Sequence, residues 1–137
     1  MSTFQIPTHI KGFIFDIDGT LADTMPAHYR ASNKAAQHYG FEFPLDYFIK
    51  SAGTPTVKVF QTLMELQSVK SVSAEEVSAL KETYYLEEVP SILPIKYTMD
   101  IVKEFHGKIP MSMGTGGTLE IALPNIKQIG VDAYIDI

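Results

Sequence analysis

The sequence predicts an α/β fold in which a parallel sheet is wound by helices, with a block of helices inserted after the first strand. Two short apolar segments, residues 10–16 and 109–113, each run into a turn rich in Asp or Gly, as buried parallel strands do. The long stretch between them, residues 22–89, instead shows helical spacing and helix start signals. Strand, helical insert, helix and strand follow one another in the order of a doubly wound sheet.

The composition bounds the chemistry that the chain can perform. Its 137 residues are 45% hydrophobic and 20% charged, enough to bury a core in one compact unit, or in one unit and a small insert. The absence of cysteine excludes disulfides, Cys-based zinc sites and thiol nucleophiles. A net charge of −5 without a basic cluster makes nucleic acid a poor partner. Short apolar runs exclude a transmembrane segment, and the amino terminus lacks a signal-peptide pattern, so we expect a cytoplasmic location.

Each predicted element has a local cause. The first strand ends near Asp16, where apolar residues give way to Asp-Ile-Asp-Gly-Thr. Four helices are predicted in the insert. The first begins at Thr24-Met25-Pro26 and ends at Gly40, and a short second helix covers residues 44–52. Thr54-Pro55 begins the third, and a capping box at Ser73–Glu76 begins the fourth. Beyond Pro90 we predict a helix over residues 97–105, a strand over 109–113, a helix over 118–128 and a third strand over 133–137.

Two carboxylates mark the predicted end of the first strand. Asp16 and Asp18 are two residues apart on extended chain, so their side chains point the same way while Ile17 points into the core. Ligands of an open parallel sheet bind at this edge, and a divalent cation would relieve the repulsion between the carboxylates. An Asp-rich turn that merely caps a strand is the alternative interpretation.

These residues resemble a known family. The segment Phe13-Ile14-Phe15-Asp16-Ile17-Asp18-Gly19-Thr20-Leu21 resembles the first motif of the haloacid dehalogenase (HAD) superfamily, and Met111-Ser112-Met113-Gly114-Thr115-Gly116 resembles the second. The branch that looks most similar contains sugar-phosphate phosphatases and β-phosphoglucomutases. The resemblance implies a HAD-like, Rossmannoid core over residues 1–21 and 90–137, and an all-helical cap over residues 22–89.

The resemblance also implies a role for each residue at the sheet edge. Asp16 would be the nucleophile that forms an aspartyl phosphate, and Asp18 would be the acid and base. Mg²⁺, held by the Asp16 carboxylate and the backbone carbonyl of Asp18, would be the cofactor. Thr115 would donate its hydroxyl, and Gly116 its backbone N–H, to a phosphoryl oxygen.

The cap would supply contacts to the substrate, a small phosphorylated metabolite. Residues 53–58 resemble the cap loop that reaches over the active site in this branch, which makes Thr54 and Lys58 candidates for substrate binding. His28, on the first helix of the cap, is a third candidate. Specificity would then depend on residues 22–89.

Two later motifs of the family, a lysine and an acidic pair that completes the magnesium site, have no counterpart in this sequence. We therefore expect the chain to be the amino-terminal part of the enzyme, with an incomplete core whose exposed sheet edge favours self-association. The leading hypothesis is a Mg²⁺-dependent sugar-phosphate phosphatase. A β-phosphoglucomutase-like phosphomutase and a catalytically impaired fragment or binding module are the alternatives.

Overall fold

A computed structural model describes residues 5–135 and confirms the α/β class. The chain divides into two compact units: residues up to Thr24 together with those from Ile92 onward, and Met25–Ser91 between them. In chain order the strands and α-helices are β1 (Phe13–Asp16), α1 (Met25–His38), α2 (Leu45–Lys50), α3 (Thr56–Leu66), α4 (Ala74–Glu88), α5 (Lys96–Phe105), β2 (Met111–Gly114) and α6 (Leu119–Ile129). Within residues 5–135, no helix combines the length and the apolar character needed to cross a bilayer.

The first unit is built on a parallel pair of strands. β1 and β2 pair in register, so that Phe13 lies opposite Met111 and Asp16 lies opposite Gly114. Phe13 and Phe15 are half-buried, and the Phe13 ring packs edge-on against Phe105 of α5 with 5.6 Å between the ring centroids. Because the strands are parallel, their carboxyl ends meet at one edge of the sheet.

The predicted third strand is wrong for the residues that the structure describes. Residues 131–133 form a short 3₁₀ turn, followed by a turn at Tyr134 and a bend at Ile135; residues 136–137 lie outside the described range. Gly130 ends α6 in the left-handed conformation, with φ of 69°, and reverses the chain. Ile135, one of the apolar residues that suggested a strand, is buried in this conformation without forming one, as is Val131 before it.

The first residues of the predicted helical insert, 22–24, are not helical. Residues 22–24 precede α1, and Ala22 forms isolated β-bridges with Asp18 and Pro94. The backbone N–H of Asp23 donates to the carbonyl of Leu93 at 2.9 Å. The residue types at positions 22–24 are compatible with a helix. Ala22 and Asp23 instead pair their backbones with Pro94 and Leu93, which lie far along the sequence.

The helical unit packs through small residues and a cluster of aromatic rings. Ala27, Ala31 and Ala35 recur every four residues on α1, each no more than 1% exposed, and α1 packs against α4. Beside this contact, Phe43 and Phe60 lie with their ring centroids 5.4 Å apart. The core of the unit is therefore dominated by close helix packing and by phenylalanine.

The predicted capping box begins α4. The Ser73 hydroxyl accepts the backbone N–H of Glu76 at 3.2 Å, and the Glu76 carboxylate accepts the backbone N–H of Ser73 at 3.0 Å. The hydrogen bond from the Ser73 backbone lowers the pKa of Glu76. The ionised box therefore stabilises the fold at pH values above the ordinary pKa of Glu, and this contribution is lost as pH falls through the lowered pKa.

Substitution of Ser73 by alanine is expected to lower the free energy of unfolding by about 1 kcal/mol, because the first turn of α4 loses its side-chain cap. Urea unfolding followed by circular dichroism measures the change. Ser71→Ala, an exposed position outside any helix, is the matched control and should leave the midpoint unchanged. Equal effects of the two substitutions would show that the box does not stabilise the helix.

Candidate functional site

Asp16 lies at the carboxyl end of β1 with an exposed side chain. One of its carboxylate oxygens, Oδ1, accepts the backbone N–H of Ile17 at 2.9 Å. The Ile17 side chain is only 2% exposed, so the residue after Asp16 is anchored in the core. The carboxylate is thereby fixed at the rim of the sheet by a buried neighbour and by one backbone hydrogen bond.

A tight turn follows and carries Asp18. The carbonyl of Ile17 accepts the backbone N–H groups of Leu21 and Ala22, both at 3.0 Å. Gly19 adopts a φ of 73°, which the turn requires and which a side chain would disfavour. Asp18 itself is half-buried, and its Oδ1 accepts a 2.7 Å hydrogen bond from the hydroxyl of Thr24, a residue with no exposed surface.

The end of β2 supplies hydroxyl and backbone donors at the same edge of the sheet. Thr115 directly follows Gly114, the residue paired with Asp16, and adjacent strands are roughly 4.8 Å apart. The Thr115 hydroxyl oxygen accepts the backbone N–H of Gly117 at 3.0 Å. Because the hydroxyl is the acceptor in this bond, its own hydrogen can be donated elsewhere. Gly116 is exposed, two residues before the N-cap of α6.

The oxygen donors of this edge suit a hard divalent cation. Asp16 offers an exposed carboxylate, and Asp18 offers a second carboxylate and a backbone carbonyl two residues further on. No group of three or more His, Asp or Glu residues within residues 5–135 could hold a metal alone. Mg²⁺ is commonly bound by one or two carboxylates together with water and substrate phosphate, so the residues present fit Mg²⁺.

The other predicted site residues belong to the helical unit. Thr54 and Lys58 are exposed and line one open cavity of about 250 Å³, together with Tyr47, Lys50, Ser51, Val59 and Thr62. The Lys58 ammonium donates to Oε1 of Gln61 at 3.4 Å. His28 does not line this cavity, because its ring stacks on that of Tyr85 with 4.0 Å between the centroids. The three cap candidates therefore fall at two places within the unit.

Sequence reasoning missed a buried lysine beside His28. Lys81 of α4 is only 6% exposed, its ammonium lies 3.0 Å from Nδ1 of His28, and it lies 5.2 Å from the centre of the Tyr85 ring. Val77, Lys81 and Tyr85 recur every four residues, so the spacing placed Lys81 on the buried face of α4. Thr24 was likewise missed as the partner of Asp18.

Comparison with known proteins gives the same family along nearly the whole chain. The sequence matches the haloacid dehalogenase-like hydrolase family over residues 13–137. It is 32% identical over 129 residues to the fructose-1-phosphate phosphatase YqaB of Escherichia coli (strain K12), which covers 91% of this chain and 66% of that protein. It is 24% identical over 131 residues to a phosphorylated carbohydrates phosphatase of Thermotoga maritima, covering 93% of this chain and 60% of that protein.

Solved structures give the same fold. The structure of a haloacid dehalogenase-like family hydrolase from Streptococcus pneumoniae superposes with a TM-score of 0.80 at 20% identity. The match covers 95% of this chain and 60% of the other. This chain thus spans about two thirds of the length of the Escherichia coli relative and 60% of the Thermotoga maritima relative.

Proposed function

The chain belongs to the haloacid dehalogenase-like hydrolase family, and we propose that it is a magnesium-dependent phosphatase that acts on a sugar phosphate through an aspartyl-phosphate intermediate. One observation carries the proposal: the parallel register of β1 and β2 puts Asp16 opposite Gly114, so that the two predicted motifs end side by side. A phosphatase of this kind needs a carboxylate nucleophile and a hydroxyl donor to phosphate at one place, and this register supports giving those roles to Asp16 and Thr115.

In the proposed mechanism a carboxylate oxygen of Asp16 attacks phosphorus, and the bond from phosphorus to the sugar oxygen breaks. Asp18, in its protonated form, gives its proton to that departing oxygen, so that the sugar leaves as an alcohol. Asp18 then takes a proton from a water molecule, whose oxygen attacks the phosphorus of the aspartyl phosphate. Inorganic phosphate leaves, the Asp16 carboxylate is restored, and Asp18 is again protonated.

In this mechanism the residues after β2 bind the phosphoryl group. Thr115 donates its hydroxyl and Gly116 its backbone N–H to phosphoryl oxygens, with the start of α6 adding the positive end of its dipole. The Asp16 carboxylate and the Asp18 carbonyl would hold Mg²⁺, which neutralises charge between the carboxylates and a dianionic substrate when it is bound. Each residue thus has a separate task in binding or in proton transfer.

Two curated relatives are named as phosphatases of fructose 1-phosphate and of phosphorylated carbohydrates, which supports a sugar phosphate as substrate. We propose His28, Thr54 and Lys58 as the residues that contact the sugar. Thr54 and Lys58 share a cavity with hydroxyl and ammonium groups, which suits a polyhydroxylated ligand. The cytoplasmic location and the self-association through the sheet edge stay predictions.

The test is phosphate release from a panel of hexose and pentose phosphates, measured for the 137-residue chain and for any longer form that its gene encodes. We expect release to require Mg²⁺, to stop when EDTA is added and to return when Mg²⁺ is restored, because the carboxylates repel the substrate without the cation. A sugar monophosphate assayed with a catalytic amount of the corresponding bisphosphate separates phosphatase from phosphomutase, since a mutase converts the monophosphate into its positional isomer and releases little inorganic phosphate. Release that is indifferent to EDTA, or absent for every substrate and every length tested, would overturn the proposal.

A further inference from the structure

The turn that carries Asp18 is held by a second segment of the same unit, residues 93–98. Leu93 and Ile95 form backbone hydrogen bonds with the end of the turn. The Asp23 N–H donates to the Leu93 carbonyl at 2.9 Å, and the Ile95 N–H donates to the Leu21 carbonyl at 2.8 Å. Ala22 forms an antiparallel bridge with Pro94 between these bonds. The catalytic turn is thus one side of a short antiparallel ladder.

Thr98 adds a side-chain contact beside this backbone ladder. It lies in the first turn of α5 and is half-buried, and its hydroxyl contacts the carbonyl of Thr20 and, at 3.0 Å, the carbonyl of Ile95. The single hydroxyl hydrogen can be donated to either carbonyl, and the contact with Thr20 is the one that links α5 to the turn. A threonine in the first turn of a helix can form its hydroxyl hydrogen bond within that helix. The Thr98 hydroxyl also contacts the carbonyl of Thr20, which is 78 positions away in the sequence.

We propose that Thr98 is a positioning residue for the acid and base, Asp18. This inference rests on the proposed function. The Thr20 carbonyl that Thr98 anchors is two residues from Asp18, within the turn closed by the hydrogen bond from the Gly19 N–H to the Ala22 carbonyl, 2.9 Å. Thr24 fixes the Asp18 side chain by its hydroxyl, and Thr98 fixes the backbone on which that side chain is carried.

The effect of such a residue should appear in turnover rather than in binding. Proton transfer requires the donor and acceptor within hydrogen-bond reach, and a displacement of about 1 Å can cost roughly 100-fold in rate. The other groups proposed to meet the phosphoryl group, Asp16, Thr115 and Gly116, lie on or directly after the paired strands. Saturating Mg²⁺ offsets any weakening of the cation site at the Asp18 carbonyl. Loss of the Thr98 hydroxyl should therefore lower kcat and leave KM nearly unchanged.

The experiment compares two pairs of variants that differ mainly in this hydroxyl: wild type with Thr98→Val, and Thr98→Ser with Thr98→Ala. The second pair keeps the test intact if valine prevents folding. We expect kcat to fall on the order of 10- to 100-fold for valine and alanine, KM to change less than about threefold, and serine to retain most of the activity. Thr83→Val is the matched control, since Thr83 is exposed and its hydroxyl donates only within α4.

A second readout does not depend on activity. Amide hydrogen exchange at Gly19 and Leu21, both bonded within the turn, should quicken in Thr98→Val, whereas exchange in α6 should not change. If kcat and exchange in the turn match wild type while Asp16→Asn abolishes release, the inference about Thr98 is wrong and the proposed function stands. If Asp16→Asn releases phosphate like wild type, the proposed function itself fails. An equal loss in Thr98→Ser and Thr98→Ala would also contradict the inference.

Discussion

Asparagine in place of Asp16 is expected to reduce phosphate release by a factor on the order of 10³ or more, the largest effect that we predict for a single substitution. An amide nitrogen or oxygen is a far weaker nucleophile than a carboxylate, so the covalent step is lost. The side chain is exposed and its Oδ1 accepts the backbone N–H of Ile17, a bond that asparagine can keep. The fold should therefore be preserved, which urea unfolding and circular dichroism can check.

A rate alone would not separate a nucleophile from a metal ligand, so the intermediate should be trapped. Acid quench of the wild type during turnover of a ³²P-labelled substrate should leave label on the protein, released by hydroxylamine as expected for an acyl phosphate and mapped to the peptide of Asp16. Asp132→Asn is the matched control, because Asp132 is exposed in the same unit and far along the chain from the sheet edge. Label on Asp16→Asn, or an activity loss in Asp132→Asn of similar size, would contradict the assignment.

The sequence predicted the elements whose causes are local. Apolar residues before Asp16 specify a strand that ends there, and the reciprocal bonds of Ser73 and Glu76 begin α4 where the capping box required. The edge of the sheet was predictable for the same reason: parallel strands bring their carboxyl ends together, and the register then places Asp16 beside the residue before Thr115.

The features that the sequence did not predict are of two kinds. Some depend on contacts between residues distant along the chain, and others on the burial of a residue type that is usually exposed. Thr98 and Thr20 are 78 positions apart, and neither has a local reason to bind the other. A lysine is almost never buried, so its residue type argued for an exposed Lys81, although its spacing placed it on the inner face of α4. The predicted third strand, residues 133–137, is wrong for residues 133–135 because Ile135 fits a buried turn as well as a strand, and only tertiary packing chooses between the two.

Asparagine in place of Asp18 is expected to lower turnover by about 10²- to 10⁴-fold, the range over which general acid and base catalysis contributes. The substitution is well matched, because Oδ1 of an asparagine can still accept the hydrogen bond from the buried hydroxyl of Thr24. What is lost is the capacity to give and take a proton. The phosphoenzyme should therefore form slowly from a sugar phosphate and be hydrolysed slowly in every case.

An aryl phosphate separates these two steps, because its phenolate leaves without a proton. For Asp18→Asn we expect a burst of phenolate close to one equivalent of enzyme, then a slow steady rate, since the aspartyl phosphate forms but water is no longer activated. The wild type should show a burst well below one equivalent, since its aspartyl phosphate is hydrolysed quickly and only a small fraction is present during turnover. Asp16→Asn should show no burst. If Asp18→Asn turns over an aryl phosphate at the wild-type rate, Asp18 does not activate the water. If it gives neither burst nor turnover, Asp18 acts on the first displacement in a way that proton donation to the leaving group does not explain.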